Sequence, residues 1–283
     1  MFAYPLKLPT ISTRVLEAGT GGTPLVFVHG TGGRADRWER NLDAMAAAGY
    51  HAYAFDLPGH GFASKGPGVD CSVPGYRQVL GGFLEAIGVR EPAVIVGTSL
   101  GGHVVASFAC EQPNRVKAIA LVGSMGLIPI GAEARQRVQK GANNQSRDGV
   151  VEKFKRVIFD PANVSVDLIE GEYRINNSAG AKESFETLGN YIAQRLDDDA
   201  VGDALGKLAG RFPVLLVWGD QDKVVPLSVG EAAKEKLPGS RLVVIKDTAH
   251  TPYFEKAEAF NAVLGEFLAG KTGTYRSNDV SYR

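Results

Sequence analysis

The stretch Ala93–Gly102, AVIVGTSLGG, constrains what this chain can fold into more than any other. A short apolar run ends in Gly97-Thr98-Ser99-Leu100-Gly101, a G-x-S-x-G pattern. In that pattern a buried strand breaks into a helix through a turn so tight that only small residues fit beside the central serine. Ser99 is thereby expected exposed at a strand tip. A serine hydroxyl is a weak nucleophile unless a base takes its proton and amide N–H groups stabilise the oxyanion formed on attack. The turn therefore demands a carboxylate and a histidine further on, in the order Ser, acid, His, and a Gly-rich strand-end loop earlier.

The rest of the chain has the rhythm such a turn needs. Pro24–Gly30 (PLVFVHG) is a continuous apolar run, as expected of a parallel strand covered on both faces, and it stops at His29-Gly30-Thr31-Gly32-Gly33. Trp38, Leu42 and Met45 then recur at helical spacing, and His51–Phe55 returns as a strand ending in Asp56-Leu57-Pro58-Gly59-His60-Gly61, completing a βαβ unit. Tyr76, Val79, Leu80, Phe83, Leu84 and Ile87 mark an amphipathic helix stopped by Gly88. After the helix that Ser99 opens, Val116–Gly123 is another buried strand. From roughly Gly126 to Gly206 only helical signals follow, such as Phe154, Val157, Ile158 and then Phe185, Leu188, Ile192. Strands resume at Phe212–Gly219 and Arg241–Lys246, with a helix near Ala232 between them and a last helix carrying Phe260, Val263, Leu264, Phe267 and Leu268. The spacing thus predicts an α/β core in two parts, 1–125 and 208–270, interrupted by a helical insertion at 126–207. Ile11–Leu16 reads as an edge strand, and the polar tail 271–283 is expected outside the fold proper.

The demanded partners are present. Phe212–Trp218 is followed by Gly219-Asp220-Gln221-Asp222, two carboxylates just past a strand tip, of which Asp222 has the reach to orient a histidine; Asp220 is the alternative. His250 follows the last strand in Asp247-Thr248-Ala249-His250-Thr251-Pro252, where Asp247 reads as a local turn cap. The expected catalytic set is Ser99, Asp222 and His250. The expected oxyanion donors are the backbone N–H of Leu100, at a helix N-terminus, and that of Thr31, with Gly32 close behind. Gly30, Arg34, Thr98 and Trp38 are assigned to the substrate pocket.

Composition narrows the partner. The 31 basic and 31 acidic residues balance, with no basic run, which argues against nucleic acid or an anionic membrane surface and for a small molecule. Met1–Thr10 lacks a signal-like apolar core, and no apolar stretch reaches the roughly 18 residues that span a bilayer, so the expected location is the cytoplasm. Cys71 and Cys110 are too isolated for a disulfide framework or a CxxC site, and no His-Glu-x-x-His or paired Cys/His spacing suggests a metal; neither metal nor cofactor is expected. A homodimer stays open as the assembly.

These motifs, with Asp56-Leu57-Pro58-Gly59-His60-Gly61-Phe62-Ala63-Ser64, make the chain resemble the α/β-hydrolase superfamily over about residues 10 to 270. The resemblance implies a mostly parallel sheet carrying Ser, Asp and His at one end, with a helical cap inserted after the sixth strand. Within the cap, Phe159-Asp160-Pro161 and Leu168–Asn177 (LIEGEYRINN), followed by Phe185, are similar to the meta-cleavage product hydrolases, which split carbon–carbon bonds in ring-opened aromatic dienoates. That resemblance implies that Arg174 polarises the substrate's dienol end. The chain departs from the family at Thr98, where Asn is usual, at Gly32-Gly33-Arg34 in the oxyanion loop, and at Thr251, where Trp is usual. Ester or lactone hydrolysis by the same residues is the alternative, and a cofactor-free peroxidase or a hormone-receptor-like binding protein are further readings.

Overall fold

The computed structural model describes residues 1–283. Its strands are β1 (Phe2–Lys7), β2 (Ser12–Ala18), β3 (Thr23–Val28), β4 (Tyr50–Phe55), β5 (Ala93–Thr98), β6 (Val116–Val122), β7 (Val214–Gly219), β8 (Arg241–Ile245) and β9 (Val280–Tyr282). They form one sheet of nine strands in the order β1-β2-β4-β3-β5-β6-β7-β8-β9. The strands from β4 through β8 in that order run parallel; β1 and β2 at one edge and β9 at the other are antiparallel to their neighbours. All six residues of β5 are buried, because helices cover both faces of the parallel region and a strand there has no solvent side on which to place polar residues.

Core helices are α1 (Glu39–Ala47), α2 (Val73–Ala86) and α3 (Leu100–Glu111) before the insertion. The insertion, between β6 and β7, is entirely helical: α4 (Ala132–Asn143), α5 (Arg147–Val157), α6 (Val166–Asn176), α7 (Ala181–Arg195) and α8 (Gly202–Gly206). Then come α9 (Leu227–Lys236), α10 (Pro252–Glu255) and α11 (Ala257–Leu268). Serine caps start two insertion helices where the sequence turns: Ser146 Oγ accepts from the Gly149 N–H at 3.0 Å, and Ser165 Oγ from the Leu168 N–H at 3.1 Å. Two apolar clusters occupy the two faces of the sheet. One is built on Phe83, Phe108 and Trp218, the other on Phe27, Trp38 and Phe260.

The two ends of the chain differ from expectation. Ile11–Leu16 falls mostly within β2, which is not an edge: β1 covers it, pairing from Phe2 opposite Glu17 to Lys7 opposite Ser12. β1 escapes notice in the sequence because its burial is shallow: only Tyr4 and Leu6 pack against the core, too short an alternation to mark a strand. The tail belongs to the sheet. β9 pairs with β8, the Lys246 N–H donates to the Asp279 carbonyl at 2.8 Å, and Lys256 Nζ lies 2.8 Å from the Asp279 carboxylate. A three-residue strand is too short to show periodicity, and its partner edge supplies the hydrogen bonds. Deleting residues 278–283 should therefore lower the thermal midpoint by a few degrees, at about 2–4 °C per kcal/mol for a chain of this size. Differential scanning calorimetry checks this; an unchanged midpoint would show that β9 adds nothing to the edge.

Candidate active site

The turn after β5 forces Ser99 into φ 54°, ψ −120°, a region non-glycine residues rarely occupy. Packing holds it there. A methyl group at Gly97 would strike the Gly101 carbonyl, and one at Gly101 would strike the carbonyls of Val28 and His29, so both positions must be glycine for β5, α3 and the loop after β3 to meet. The Ser99 N–H donates to the Val122 carbonyl at 2.9 Å, tying the turn to β6. As the first residue of α3, Leu100 has no intrahelical acceptor for its own N–H, which leaves that donor beside the Ser99 side chain.

The strand ends β7 and β8 bring the other two predicted residues together. His250 Nδ1 and Asp222 Oδ2 are 2.7 Å apart, and both residues are buried. The remaining Asp222 oxygen accepts from the N–H groups of Val224 and Val225 at 2.8 and 2.9 Å. This fixes the carboxylate, so His250 carries its proton on Nδ1 and leaves Nε2 free to accept one. Asp220 makes no such contact, and Asp247 is exposed, 3.8 Å from Lys256. Ser99 and His250 open on one cleft, with Gly30, Thr31 and Thr98 on the core side. Phe154, Val157 and Ile158 of the insertion and Tyr253 and Phe254 of α10 give it an apolar wall.

Below the cleft floor, His29 fixes the loop after β3. Its Nε2 accepts from the Leu57 N–H at 2.9 Å, so the proton is on Nδ1, which donates to the Gly30 carbonyl at 2.8 Å. His60 packs on His29, with ring centroids 5.2 Å apart, and its Nδ1 lies 3.0 Å from the Pro58 carbonyl. Gly32, at φ 64°, presents its carbonyl to Lys153 Nζ of α5 at 2.9 Å. Lys153 Nζ is also 2.7 Å from Glu172 Oε1 of α6, and the other Glu172 oxygen pairs with Arg37. Burial pushes the Glu172 carboxyl up, but the charges of Lys153 and Arg37 outweigh it and hold the group below the usual range. Lys153 is lowered, burial outweighing the attraction of Glu172.

Three of the assigned pocket residues are elsewhere. Trp38 is wholly buried in the core, stacked between Phe27 and Tyr253 at centroid distances of 4.8 and 3.9 Å, and Tyr253 covers it from the cleft. Arg34 is turned onto Asp36, Nε to Oδ2 at 2.5 Å. Arg174 points to solvent, its side chain 79% exposed and 3.9 Å from Glu170, because α6 turns Glu172 and Asn176 inward and residue 174 falls on the opposite face. Lys153, which lines the cleft, and its buried partner Glu172 are the charges that sequence reasoning missed. Both lie in amphipathic helices where a charged residue reads as solvated, and their partners are far away in sequence.

The buried histidines give the protein an acid limit. Burial pushes both His29 and His60 down to about 3. With the unfolded value near 6.5, the unfolded chain binds the extra protons, so stability is complete above about pH 6.5 and is lost as pH falls toward 3. From pH 7 to 5 each buried histidine should cost about 2 kcal/mol. His60→Asn keeps a donor for the Pro58 carbonyl and removes one titration, so denaturant unfolding at the two pH values should show a difference about 2 kcal/mol smaller than in the wild type. An unchanged difference would mean that His60 is not held neutral.

The family model described as "alpha/beta hydrolase fold" matches residues 23–257. The dihydrolipoyllysine-residue acetyltransferase component of the acetoin cleaving system of Cupriavidus necator is 32% identical over 262 residues, covering 92% of this chain and 67% of that protein. A 2-hydroxy-6-oxononadienedioate/2-hydroxy-6-oxononatrienedioate hydrolase of Burkholderia vietnamiensis is 29% identical over 266 residues, 89% of each chain. Among solved structures, the 2-hydroxy-6-oxo-6-phenylhexa-2,4-dienoate hydrolase of Rhodococcus sp. strain RHA1 superposes with a TM-score of 0.83 at 23% identity, covering 95% of this chain and 99% of that one, and this likeness speaks for the fold. The nine-stranded sheet, the strained serine after β5 and the family match over most of the length lead to one conclusion: the chain belongs to the α/β-hydrolase fold family.

Proposed function

We propose that this chain is a serine hydrolase that cleaves a carbon–carbon bond in a ring-fission dienoate. The observation that carries the hydrolase part is the convergence of Ser99, on its strained turn, with the His250–Asp222 couple on one cleft. The relatives named as hydrolases of 2-hydroxy-6-oxo dienedioates support the substrate. In this reading the insertion acts as a cap. The dienol first tautomerises, its hydroxyl losing a proton while a carbon of the diene gains one, and the resulting keto group is an electron sink for the bond to be broken. His250 then accepts the Ser99 proton as Oγ attacks the ketone carbon, and the Leu100 and Thr31 N–H groups hold the oxyanion. Collapse of this intermediate breaks the carbon–carbon bond, the departing dienolate takes the proton from His250, and an acyl-Ser99 remains. Water, deprotonated by His250, releases the acid and restores the serine. Each turnover consumes one water. No metal or cofactor enters this scheme.

Ester or lactone hydrolysis needs the same triad without the proton transfer to carbon. The exposed Arg174 favours this second reading, since the cation implied for the dienol end is turned away from the cleft. The test is one panel on one preparation, with a coloured dienoate followed at its absorbance maximum beside a nitrophenyl ester. Wild type should turn over the dienoate. Ser99→Ala should lower kcat on both substrates by about 10³-fold or more with the circular dichroism spectrum unchanged, because the triad acts as a unit. Asp222→Asn should be severely impaired and Asp220→Asn near wild type, while Arg174→Met should change either rate less than about threefold. A wild type that hydrolyses the ester but leaves the dienoate intact would remove the carbon–carbon reading and keep the hydrolase.

A further inference from the structure

The cluster under the Gly32 loop is unbalanced in charge. Arg37 and Lys153 both line the cleft, and the single carboxylate between them, Glu172, is fully buried. Two cations against one anion leave one positive charge in a region where water does little to screen it. Neighbouring ions do not cancel it. Arg34 is engaged by Asp36, Asp36 also by Arg14, and Arg14 by Asp56. The Asp222 carboxylate keeps its charge behind His250, but its acceptors are taken by His250 and two backbone N–H groups, so it makes no ion pair with Arg37 or Lys153.

Donors as well as charge are left over. Arg37 spends one Nη2 hydrogen bond on Glu172, and its other guanidinium N–H groups meet no protein acceptor, although only 9% of the side chain is exposed. Its guanidinium carbon stands 5.0 Å from the Phe154 ring centroid, which fixes the plane of the fork. Lys153 uses two of its three N–H bonds, on Gly32 and Glu172. The Thr31 hydroxyl, buried and lining the same cleft, has no partner. Such an array is stable when an acceptor with a single negative charge enters it.

We propose that Arg37 and Lys153 form an anion subsite that selects substrates carrying a carboxylate on an apolar body, with Glu172 as the built-in counter-ion that holds the two cations apart and oriented. A carboxylate matches the fork of an arginine and cancels the one spare charge, whereas a phosphoryl dianion would overshoot it. Phe154, Val157, Ile158 and Phe254 supply the wall for the apolar body. The assignment rests on the cleft being the substrate site of the hydrolase proposed above. It does not depend on which bond is cleaved.

The test compares isosteric inhibitors of a neutral nitrophenyl ester, benzoate against benzamide, each measured as an inhibition constant. In the wild type, benzoate should bind about tenfold or more tightly than benzamide. Arg37→Gln and Lys153→Met should each bring that ratio close to one by weakening benzoate alone. Glu172→Gln, which removes the competing anion, should strengthen benzoate by about threefold or more and leave benzamide unchanged. Equal inhibition by the two compounds in the wild type overturns the proposal without any variant, so a failure of Arg37→Gln to fold does not rescue it. A ratio that persists in folded Arg37→Gln and Lys153→Met also overturns it. If the ratio behaves as expected but no dienoate is cleaved, the anion subsite stands and only the carbon–carbon reading falls. If Ser99→Ala leaves ester hydrolysis intact, the hydrolase reading itself has failed.

Discussion

The structure depends on the backbone strain at Ser99. A residue at φ 54° with a side chain costs of order 1–3 kcal/mol, and it persists only where its surroundings over-determine it. Here they do so through close backbone approaches: α3 passes so near the ends of β3 and β5 that Gly97 and Gly101 have no room for a methyl group. The same closeness puts the loop after β3 next to the start of α3. Gly30 therefore lies directly against Ser99. Catalytic geometry of the kind we propose is thus a by-product of how three parallel strands and one helix can pack, and that explains why it is encoded in glycines as much as in the serine.

Much of this was legible in the sequence because it is local. A buried parallel strand reads as an unbroken apolar run, and β3, β5, β6 and β7 all fall where such runs occur. Asp222 could be chosen over Asp220 because two more residues past a strand tip give the reach to a facing loop. The failures are of two kinds. β1 and β9 have too little burial to mark themselves in the sequence, since an edge strand borrows its stability from its neighbour's hydrogen bonds. Arg34, Trp38 and Arg174 were misplaced because a motif gives a residue's position along the chain and leaves open the direction of its side chain. Trp38 follows the helical spacing of Leu42 and Met45 and so shares their buried face. Arg174 lies two positions from Glu172, and helix geometry sends those two side chains to nearly opposite sides.

What sequence could not show is how the insertion meets the core. Glu172 and Arg37 are brought together only by the three-dimensional arrangement, 135 positions apart, and no composition rule distinguishes their pairing from the surface pairs nearby. The pair Arg147–Glu170, whose glutamate lies two residues before Glu172 and so on the opposite side of α6, is an exposed bridge of little energetic weight. Glu172 differs only in being buried. Once buried, it must be paired, because an isolated carboxylate there would be strongly destabilising.

One helix of the insertion governs both halves of the cleft. Lys153 and Val157 of α5 are four residues apart and so lie on one face. From that face Lys153 Nζ holds the Gly32 carbonyl, while the Val157 carbonyl accepts from the His250 N–H at 3.1 Å and from the Thr251 hydroxyl at 3.0 Å. Phe154, between them, forms the apolar wall. A single helix thus touches the loop after β3, the loop after β8 and the space for substrate. Side-chain changes on this face would alter what binds while the strained serine, held by the glycines of the core, and the backbone contact of Val157 to His250 stay as they are. This separates the chemistry from its choice of substrate. Relatives that share the core can therefore differ in substrate without any difference at Ser99, and the identity of the substrate has to be sought on α5 and α6 rather than in the G-x-S-x-G turn.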